Sequence, residues 1–434
     1  MSRLYDSWMK GWNIGSSMAE KRANRWAEKQ QRVAFAQQNA AINQANDCGR
    51  GVTEYLSVDM EALVNDTTSS VPTAIAGGTD SIRADMITVL IWEARSHGLP
   101  VVVLHNNDSA LNTSLANYFP DACMVDRSYP VYDPFYGMSN DQIVDAIMYS
   151  APKNSLKDDT IFLLSGISAY IRCRGAVPNT ALLAATPVVD LYDRVNGTVN
   201  KGALAPQYAQ PILDWIIRGQ SQSAALASYF NRLRMHGQGV LRLSKNGPAA
   251  NICNTTQIKG LLSLDMAAVP SPLVQDLILY ELYQAVNYGN PLLLVIDSVN
   301  VAANEKMKQL VMAPPAGIIP VLSGTDIYSM LGSTEDAFNS VIGGMSRYFL
   351  LKQPNAVTAT KWADMLGQYE RQTMDQSFND SMSGFGRNYS VNRNQEYRVS
   401  PREMMAMSGS TAYCYDAASP EIIYTQCFVP LQTS

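Results

Sequence analysis

Two short segments of this sequence lie, in order and spacing, where a nucleotide-hydrolysing protein has its two phosphate-site motifs. A phosphate-binding loop follows the pattern G-x-x-x-x-G-K-[ST] between a strand and a helix, and its backbone N–H groups hold the phosphates. Here the apolar run VPTAIA leads into the eight loop residues Gly77, Gly78, Thr79, Asp80, Ser81, Ile82, Arg83 and Ala84. The second segment is the apolar run 292–296, which ends at Asp297 and Ser298, where such enzymes place an Asp for Mg²⁺ and a Glu that activates water.

Both segments lack groups that carry out the reaction. Gly77 fits the first position of the loop, but Ile82, Arg83 and Ala84 stand where glycine, lysine and the Mg²⁺-binding hydroxyl belong. The β-branched Ile82 resists the positive φ that glycine allows, and Arg83 keeps a charge but has a different shape from lysine. Ser298 replaces the general base. The sequence therefore predicts a degenerate site that does not hydrolyse ATP.

Nucleotide binding without hydrolysis stays open at this point. Thr79, Ser81 and Arg83 could still hold a phosphate at the N-terminus of the helix. The alternative is an empty loop stabilised by the capping side chains of Asp80 or Ser81, and the charge of Asp80 would itself repel a triphosphate. We therefore expect no bound cofactor. If these residues do bind one, the candidate is ATP with Mg²⁺.

A mostly parallel sheet must position the two segments. Short apolar runs alternate with helical stretches over residues 71–105, and buried strands recur at 291–297, 316–324 and 347–353. Strand, helix and strand in this order are typical of a parallel sheet. Because strands occur in both the first and the last third, the sequence predicts one α/β sheet interrupted by a long insertion.

Composition divides the chain further. Residues 1–50 predict a polar helical arm, and residues 175–255, with apolar positions at helical spacing, predict an inserted all-α subdomain. The insertion separates the two parts of the sheet domain, 51–174 and 256–370. Residues 371–395 are rich in Asn, Ser and Gly and predict a mobile linker, and residues 396–434 predict a closing helix and hairpin.

Charge restricts the class of partner. The net charge of −5 and the pI near 5.4 argue against a globally basic, nucleic-acid-binding surface. A local DNA-binding patch stays open, and its candidates are Arg232, Arg234, Arg242, Lys245 and Lys259. Ordinary solvated charges are the alternative for these five residues.

The arm has a basic bias of its own. Its cations are Lys21, Arg22, Arg25, Lys29 and Arg32. Such a helix could lie on an acidic partner, a membrane surface or DNA, or it could pack on a neighbouring subunit.

Targeting and metal signals are missing from the sequence. It has no run of about 18 apolar residues and no apolar signal-peptide segment. Its six cysteines are far apart and its histidines number three, which favours free thiols over a zinc site. We expect a cytoplasmic protein, peripheral at the inner membrane only through partners.

The order of these segments resembles the TraG/TraD-type coupling proteins of type IV secretion and conjugation, within the HerA/FtsK group of DNA-pumping ATPases. The resemblance covers about residues 51–430 and includes YDPF at 132–135, DDTIFLLSGISAYI at 158–171, GMSRYFLLKQPNAVTATKWADMLGQYE at 344–370 and YRVSPREMMAM at 397–407. Two features depart from the family. The chain starts with a polar arm instead of transmembrane helices, and VLSGT at 321–325 lacks the glutamine that senses the γ-phosphate.

The resemblance implies a RecA-like, mostly parallel sheet with flanking helices and an inserted all-α subdomain. It also implies a place in a secretion or DNA-transfer apparatus, beside other subunits of the complex or in a ring of copies, with DNA as a further candidate partner. Together with the lost reactive groups, it indicates a pseudo-ATPase that serves as scaffold or substrate receptor. Two alternatives stay open: an active DNA translocase that uses Arg83 and Asp297, and a defence-system or phage structural module on the same fold.

Overall fold

The computed structural model describes residues 2–55, 58–59, 71–244, 248–269, 271–287, 291–381, 384–419, 421–425 and 428–429. The chain forms two compact units. One consists of Met1–Thr53 and Thr360–Glu403, and the other of Glu54–Ala359 and Met404–Ser434.

Fourteen strands occur in the described residues. They are β1 Val52–Tyr55, β2 Val58–Asp59, β3 Thr73–Ala76, β4 Val101–His105, β5 Cys123–Val125, β6 Leu261–Asp265, β7 Leu292–Asp297, β8 Ile318–Gly324, β9 Arg347–Leu350, β10 Gln368–Ser381, β11 Gly384–Tyr397, β12 Ala412–Asp416, β13 Ile422–Thr425 and β14 Phe428–Val429. Ten of them form one sheet in the order β1-β13-β12-β9-β3-β8-β7-β4-β6-β5.

The α-helices of the described residues are α1 Ser2–Arg50, α2 Asp80–Ser96, α3 Ser109–Tyr118, α4 Asn140–Ser150, α5 Thr160–Cys173, α6 Thr180–Ala185, α7 Leu191–Asn200, α8 Pro206–Gly219, α9 Ser223–His236, α10 Ile252–Gln257, α11 Pro272–Asn287, α12 Glu305–Met312, α13 Ile327–Met330, α14 Glu335–Gly343, α15 Ala356–Leu366 and α16 Pro401–Ala406. None of the described helices is long and apolar enough to cross a membrane.

The ten-stranded sheet is mostly parallel. The pairs from β9 through β3, β8, β7, β4 and β6 to β5 are all parallel, and β12 adds antiparallel contacts to β9 and β13. Its central strands are buried along their whole length, as expected when helices cover both faces of a parallel sheet. The predicted α/β fold with a mostly parallel sheet and flanking helices is confirmed.

Helices make up most of the described part of the predicted insertion. Helices α6 to α9 lie within residues 175–255, and α10 ends just beyond residue 255. Helix α5, which precedes that boundary, packs on α8, because Gly166 of α5 lies against Ile216 of α8. Helix α5, which the sequence assigned to the sheet domain, therefore packs with the helices of the insertion.

The structure places two strands where the sequence predicts a mobile linker. Residues 371–395 belong to β10 and β11, which pair antiparallel over fourteen positions from Gln368 opposite Tyr397 to Ser381 opposite Gly384. The two strands pair through backbone hydrogen bonds, which residues of any composition can make, so strand formation here does not require an aliphatic face. Low aliphatic content is therefore a poor guide to secondary structure in this segment.

Candidate degenerate phosphate site

The two half-motifs meet at the carboxyl edge of the sheet. Strand β8 lies between β3, which leads into the loop, and β7, which ends at Asp297. In register, Ile75 of β3 lies beside Ser323 of β8, and Ser323 lies beside Asp297. Ligands of open parallel sheets bind at this edge. The structure thus brings together the loop and the Asp297–Ser298 pair, as the sequence predicted.

The two glycines of the loop direct their N–H groups into the protein. Gly77 and Gly78 have φ values of 89° and 70°, a left-handed backbone that favours glycine. The Gly77 N–H donates to the carbonyl of Gly324, and the Gly78 N–H donates to the carbonyl of Lys352, each at 2.9 Å. The first two N–H groups of the loop are therefore already used.

The Arg83 guanidinium lies at the centre of the site and is 1% exposed. Its Nε lies 3.4 Å from Asp297 Oδ1, and its Nη1 donates to Thr325 Oγ1 at 2.9 Å. Its Nη2 donates to Asp80 Oδ1 at 2.6 Å and to Ser298 Oγ at 3.2 Å. One side chain thus links the loop to the ends of β7 and β8.

Carbonyl oxygens of the loop also point toward this cation. Arg83 Nη1 lies 3.4 Å from the carbonyl oxygen of Gly77 and 3.3 Å from that of Gly78. A phosphate-binding loop directs N–H donors inward, whereas these glycines present acceptors. The site is therefore polarised to hold a positive charge, which Arg83 supplies from within the chain.

Asp297 is fully buried beside this cation. Burial raises the pKa of its carboxyl to about 6, while the charge of Arg83 and the hydroxyl of Ser323 lower it and the nearby Asp108 carboxyl raises it. The Ser323 hydroxyl lies near Asp297 and lowers its pKa. Neither Asp297 Oδ2 nor Ser323 Oγ, however, has a hydrogen bond of good geometry among the described residues. The carboxylate is thus held mainly by Arg83.

The remaining loop residues do not assemble a nucleotide site. Thr79 is the N-cap of α2 but its side chain makes no capping hydrogen bond, and Ser81 is exposed. The expected capping by Asp80 or Ser81 is not found, because Asp80 pairs with Arg83 instead. Ile82 and Ala84 pack against the core beneath the sheet. The position of the Mg²⁺-binding hydroxyl is therefore apolar and buried, and the residues present do not fit Mg²⁺ and ATP.

Several polar residues of this edge were missed from the sequence. His105 lies in register between Asp265 of β6 and Asp297 of β7, and the pKa of His105 is lowered by burial, against the charges of Asp265 and Asp108. Thr325, which binds Arg83, follows β8. The signal was available: VVVLH, LLSLD and LLLVID each end an apolar run on an ionisable residue. Adjacent parallel strands place such residues in one row.

Backbone strain lies along the same edge. Asn107, which follows β4, and Ser298, which follows β7, have φ values of 52° and 57°. Left-handed backbone at a residue other than glycine carries a conformational cost, and such residues cluster at functional sites. Among the described residues, no group of three or more His, Cys, Asp or Glu side chains could hold a metal ion.

The predicted DNA-contacting residues differ in burial. Arg242, which the sequence suggested as a DNA contact, is instead buried, and its Nη1 lies 3.5 Å from Asp133 Oδ2, so its charge is neutralised inside the protein. Arg232 of α9 is half-buried, Arg234 is exposed and donates to the Asn231 side chain, and Lys259 is exposed in a turn after α10. The candidate Lys245 lies outside the described residues.

The YDPF segment forms a second buried polar cluster. Asp133 Oδ1 accepts hydrogen bonds from the backbone N–H and the hydroxyl of Thr180, at the start of α6. The Tyr132 hydroxyl donates to Glu281 Oε2, and the Cys253 N–H donates to Glu281 Oε1 at 3.0 Å. Burial raises the pKa of the fully buried Glu281 to about 8. This cluster ties the inserted helices to α11.

The chain is similar in structure to conjugative coupling proteins. No protein-family model matches it, and no curated protein matches its sequence. The solved structure of the "bacterial conjugative coupling protein TrwBdeltaN70" in its unbound form is 13% identical, with 86% of this chain and 92% of that chain covered and a TM-score of 0.49. The plasmid coupling protein TrwB in complex with ADP and Mg²⁺ is 13% identical over the same shares, with a TM-score of 0.47.

A further similar structure is that of VirB4 from Thermoanaerobacter pseudethanolicus. It is 9% identical, with 87% of this chain and 93% of that chain covered and a TM-score of 0.41. The predicted resemblance to coupling proteins is thus confirmed as a likeness to their solved structures.

Proposed function

We propose that this protein is a coupling-protein-like pseudo-ATPase subunit of a type IV secretion or conjugative DNA-transfer apparatus, where it acts as a scaffold or substrate receptor. The observation that carries the loss of activity is the position of Arg83. Its guanidinium occupies the centre of the loop and binds Asp297, the carboxylate that an ATPase would use for Mg²⁺. The apparatus follows from the resemblance of the sequence to coupling proteins.

The charge balance of the site supports this proposal. A triphosphate would have to displace Arg83 from Asp80, Asp297 and Ser298. The fully buried Asp297 would then depend on Mg²⁺ for its counter-charge, and Ala84 supplies no hydroxyl to hold that ion. An uncompensated buried charge costs several kcal/mol. Ser298 in place of the general base and Ala84 in place of the metal-binding hydroxyl remove two further contributions to catalysis.

The proposal also places the protein in the cytoplasm, at the inner membrane through partner subunits, with other subunits of the apparatus or further copies of itself as partners. DNA is a candidate partner of the complex. Nothing in this arrangement requires the chain to turn over nucleotide.

Turnover of ATP tests the proposal. Purified full-length protein is incubated with Mg²⁺ and ATP, with and without single- and double-stranded DNA, beside the Asp297→Ala variant. We expect the wild type to release no more phosphate than Asp297→Ala under any condition. Turnover that DNA stimulates and that Asp297→Ala abolishes would instead establish an active translocase with an unusual loop.

A further inference from the structure

Helix α1 has a long run of exposed side chains in the part that the structure describes. Its 49 residues span roughly 74 Å at about 1.5 Å per residue. Between residues 18 and 34 every described side chain is exposed, and cover begins at Phe35. Further along, Asn46 and the backbone of Gln372 in β10 exchange two hydrogen bonds of 2.8 Å. Among the side chains of the helix that the structure describes, those that pack on the hairpin lie in its C-terminal part.

One face of the uncovered part combines apolar and cationic side chains. Met18, Arg22, Trp26, Lys29 and Val33 are spaced i, i+4, i+8, i+11 and i+15, which places them on one side of a helix. Trp26 is 67% exposed and Met18 59%. Long helices gain most of their stability from packing rather than from propensity, so this face is suited to a partner.

The charges of the chain indicate what that partner is. Residues 1–50 contain eight Lys and Arg and four Asp and Glu, a net charge of +4, so the remaining residues carry −9 of the total of −5. The arm is thus opposite in sign to the body of its own chain. Opposite charges speed association and fix its register.

We propose that the face defined by Met18, Arg22, Trp26, Lys29 and Val33 docks on an acidic surface of a second copy of this chain. This inference does not depend on the proposed loss of ATPase activity.

The receiving surface is the start of α7. Val189 is 70% exposed and Tyr192 39%, and the exposed carboxylates of Asp190 and Asp193 lie beside them. This combination of apolar side chains with acidic ones complements that of the arm. Trp26 would pack on the apolar pair while Arg22 and Lys29 meet the carboxylates, an arrangement in which a central aromatic residue carries much of the binding.

Sedimentation velocity of the full chain at low and high ionic strength tests the docking. We expect self-association that weakens with salt, because the pairs lie at a solvent-exposed surface. Arg22→Glu with Lys29→Glu should weaken it about tenfold or more, which corresponds to about 1.4 kcal/mol, and Trp26→Ala should weaken it as well. The matched control reverses two exposed cations outside the arm, Lys153→Glu with Lys157→Glu, and should associate as the wild type does.

A charge exchange identifies the receiving surface. Asp190→Lys with Asp193→Lys should weaken association as the arm variant does, and combining these changes with Arg22→Glu and Lys29→Glu should restore it. A wild type that stays monomeric at low ionic strength overturns the proposal, as does association that the arm variant leaves unchanged. The proposal is also overturned if the arm variant still self-associates but no longer binds anionic phospholipid vesicles or DNA. A charge exchange that does not restore self-association overturns it as well.

Discussion

Replacing Arg83 by methionine keeps a long apolar stem in the site and removes only the guanidinium. The change leaves the fully buried Asp297 without its cation. Removing one partner of a buried ion pair costs about 3–5 kcal/mol. Because the Nε to Oδ1 distance is as long as 3.4 Å, and because Asp297 can take up a proton, we expect the lower end. The variant should lose about 3 kcal/mol of its unfolding free energy at pH 8.

The loss should depend on pH with a defined sign. Burial raises the pKa of Asp297 to about 6 in the wild type, and the charge of Arg83 lowers it, so the pKa in the variant lies higher still. Stability falls with rising pH wherever the folded state binds more protons than the unfolded state. Above pH 6 the difference in unfolding free energy between wild type and variant should grow by up to about 1.4 kcal/mol per pH unit. The growth should end at the higher pKa that Asp297 has in the variant. Below about pH 5 Asp297 is protonated in both folded proteins, so the difference in unfolding free energy should no longer change with pH.

Urea denaturation followed by circular dichroism from pH 5 to pH 8.5 measures this gap. Arg95→Met is the matched control, because Arg95 lies on the same helix and pairs with Asp121, whose side chain is 61% exposed. An exposed pair contributes about 0–1 kcal/mol, so this control should change little and show no such trend around pH 6. If Arg83→Met lost no more stability than Arg95→Met, or if its loss were the same at pH 5 and pH 8, Arg83 would not be the cation that holds Asp297.

Two further changes test the loop backbone and the second cluster. Gly77→Ala would place a Cβ 2.5 Å from the carbonyl oxygen of Lys352 at a φ of 89°, whereas Gly175→Ala, at a φ of 71°, meets nothing within 4 Å. Thermal unfolding should therefore show a clearly larger loss for Gly77→Ala than the roughly 1–2 kcal/mol of left-handed strain expected at Gly175, and equal losses would contradict the packing described. For Glu281, whose pKa is raised to about 8, wild-type stability should fall as pH rises from about 4.5 through 8. Glu281→Gln should remove that fall. The melting temperature of the variant relative to that of the wild type should therefore be higher at pH 9 than at pH 6. If the difference in melting temperature were the same at both pH values, Glu281 would not titrate in this range.

The central sheet and the meeting of the two half-motifs were predictable from the sequence. Apolar runs bounded by glycine and ending on polar residues mark buried parallel strands, and the connectivity brings their carboxyl ends together. The direction of the Arg83 side chain was not predictable. Read as a substitute for lysine, it suggested a phosphate ligand, but its position depends on acceptors from Asp297, Ser298 and Thr325, which lie more than 200 residues away.

The hairpin of β10 and β11 and the buried position of Arg242 show where sequence patterns fail. The strands of the hairpin are rich in Asn, Gln, Ser and Arg, so their sequence carries no clear alternation of apolar and polar residues from which strands could be predicted. Arg242 is buried because Asp133, from the YDPF segment, accepts its charge. Charge type alone does not reveal such a partner, because the pairing joins positions 109 residues apart.

Calorimetric titration of the wild-type protein with a non-hydrolysable ATP analogue and Mg²⁺ tests most directly whether Arg83 fills the phosphate site. We predict no saturable binding, with any Kd weaker than about 1 mM, equivalent to less than about 4 kcal/mol of binding free energy. Saturable binding in the micromolar range that Asp297→Ala removes would contradict the account, because it would show that the loop accepts a triphosphate despite the arginine at its centre.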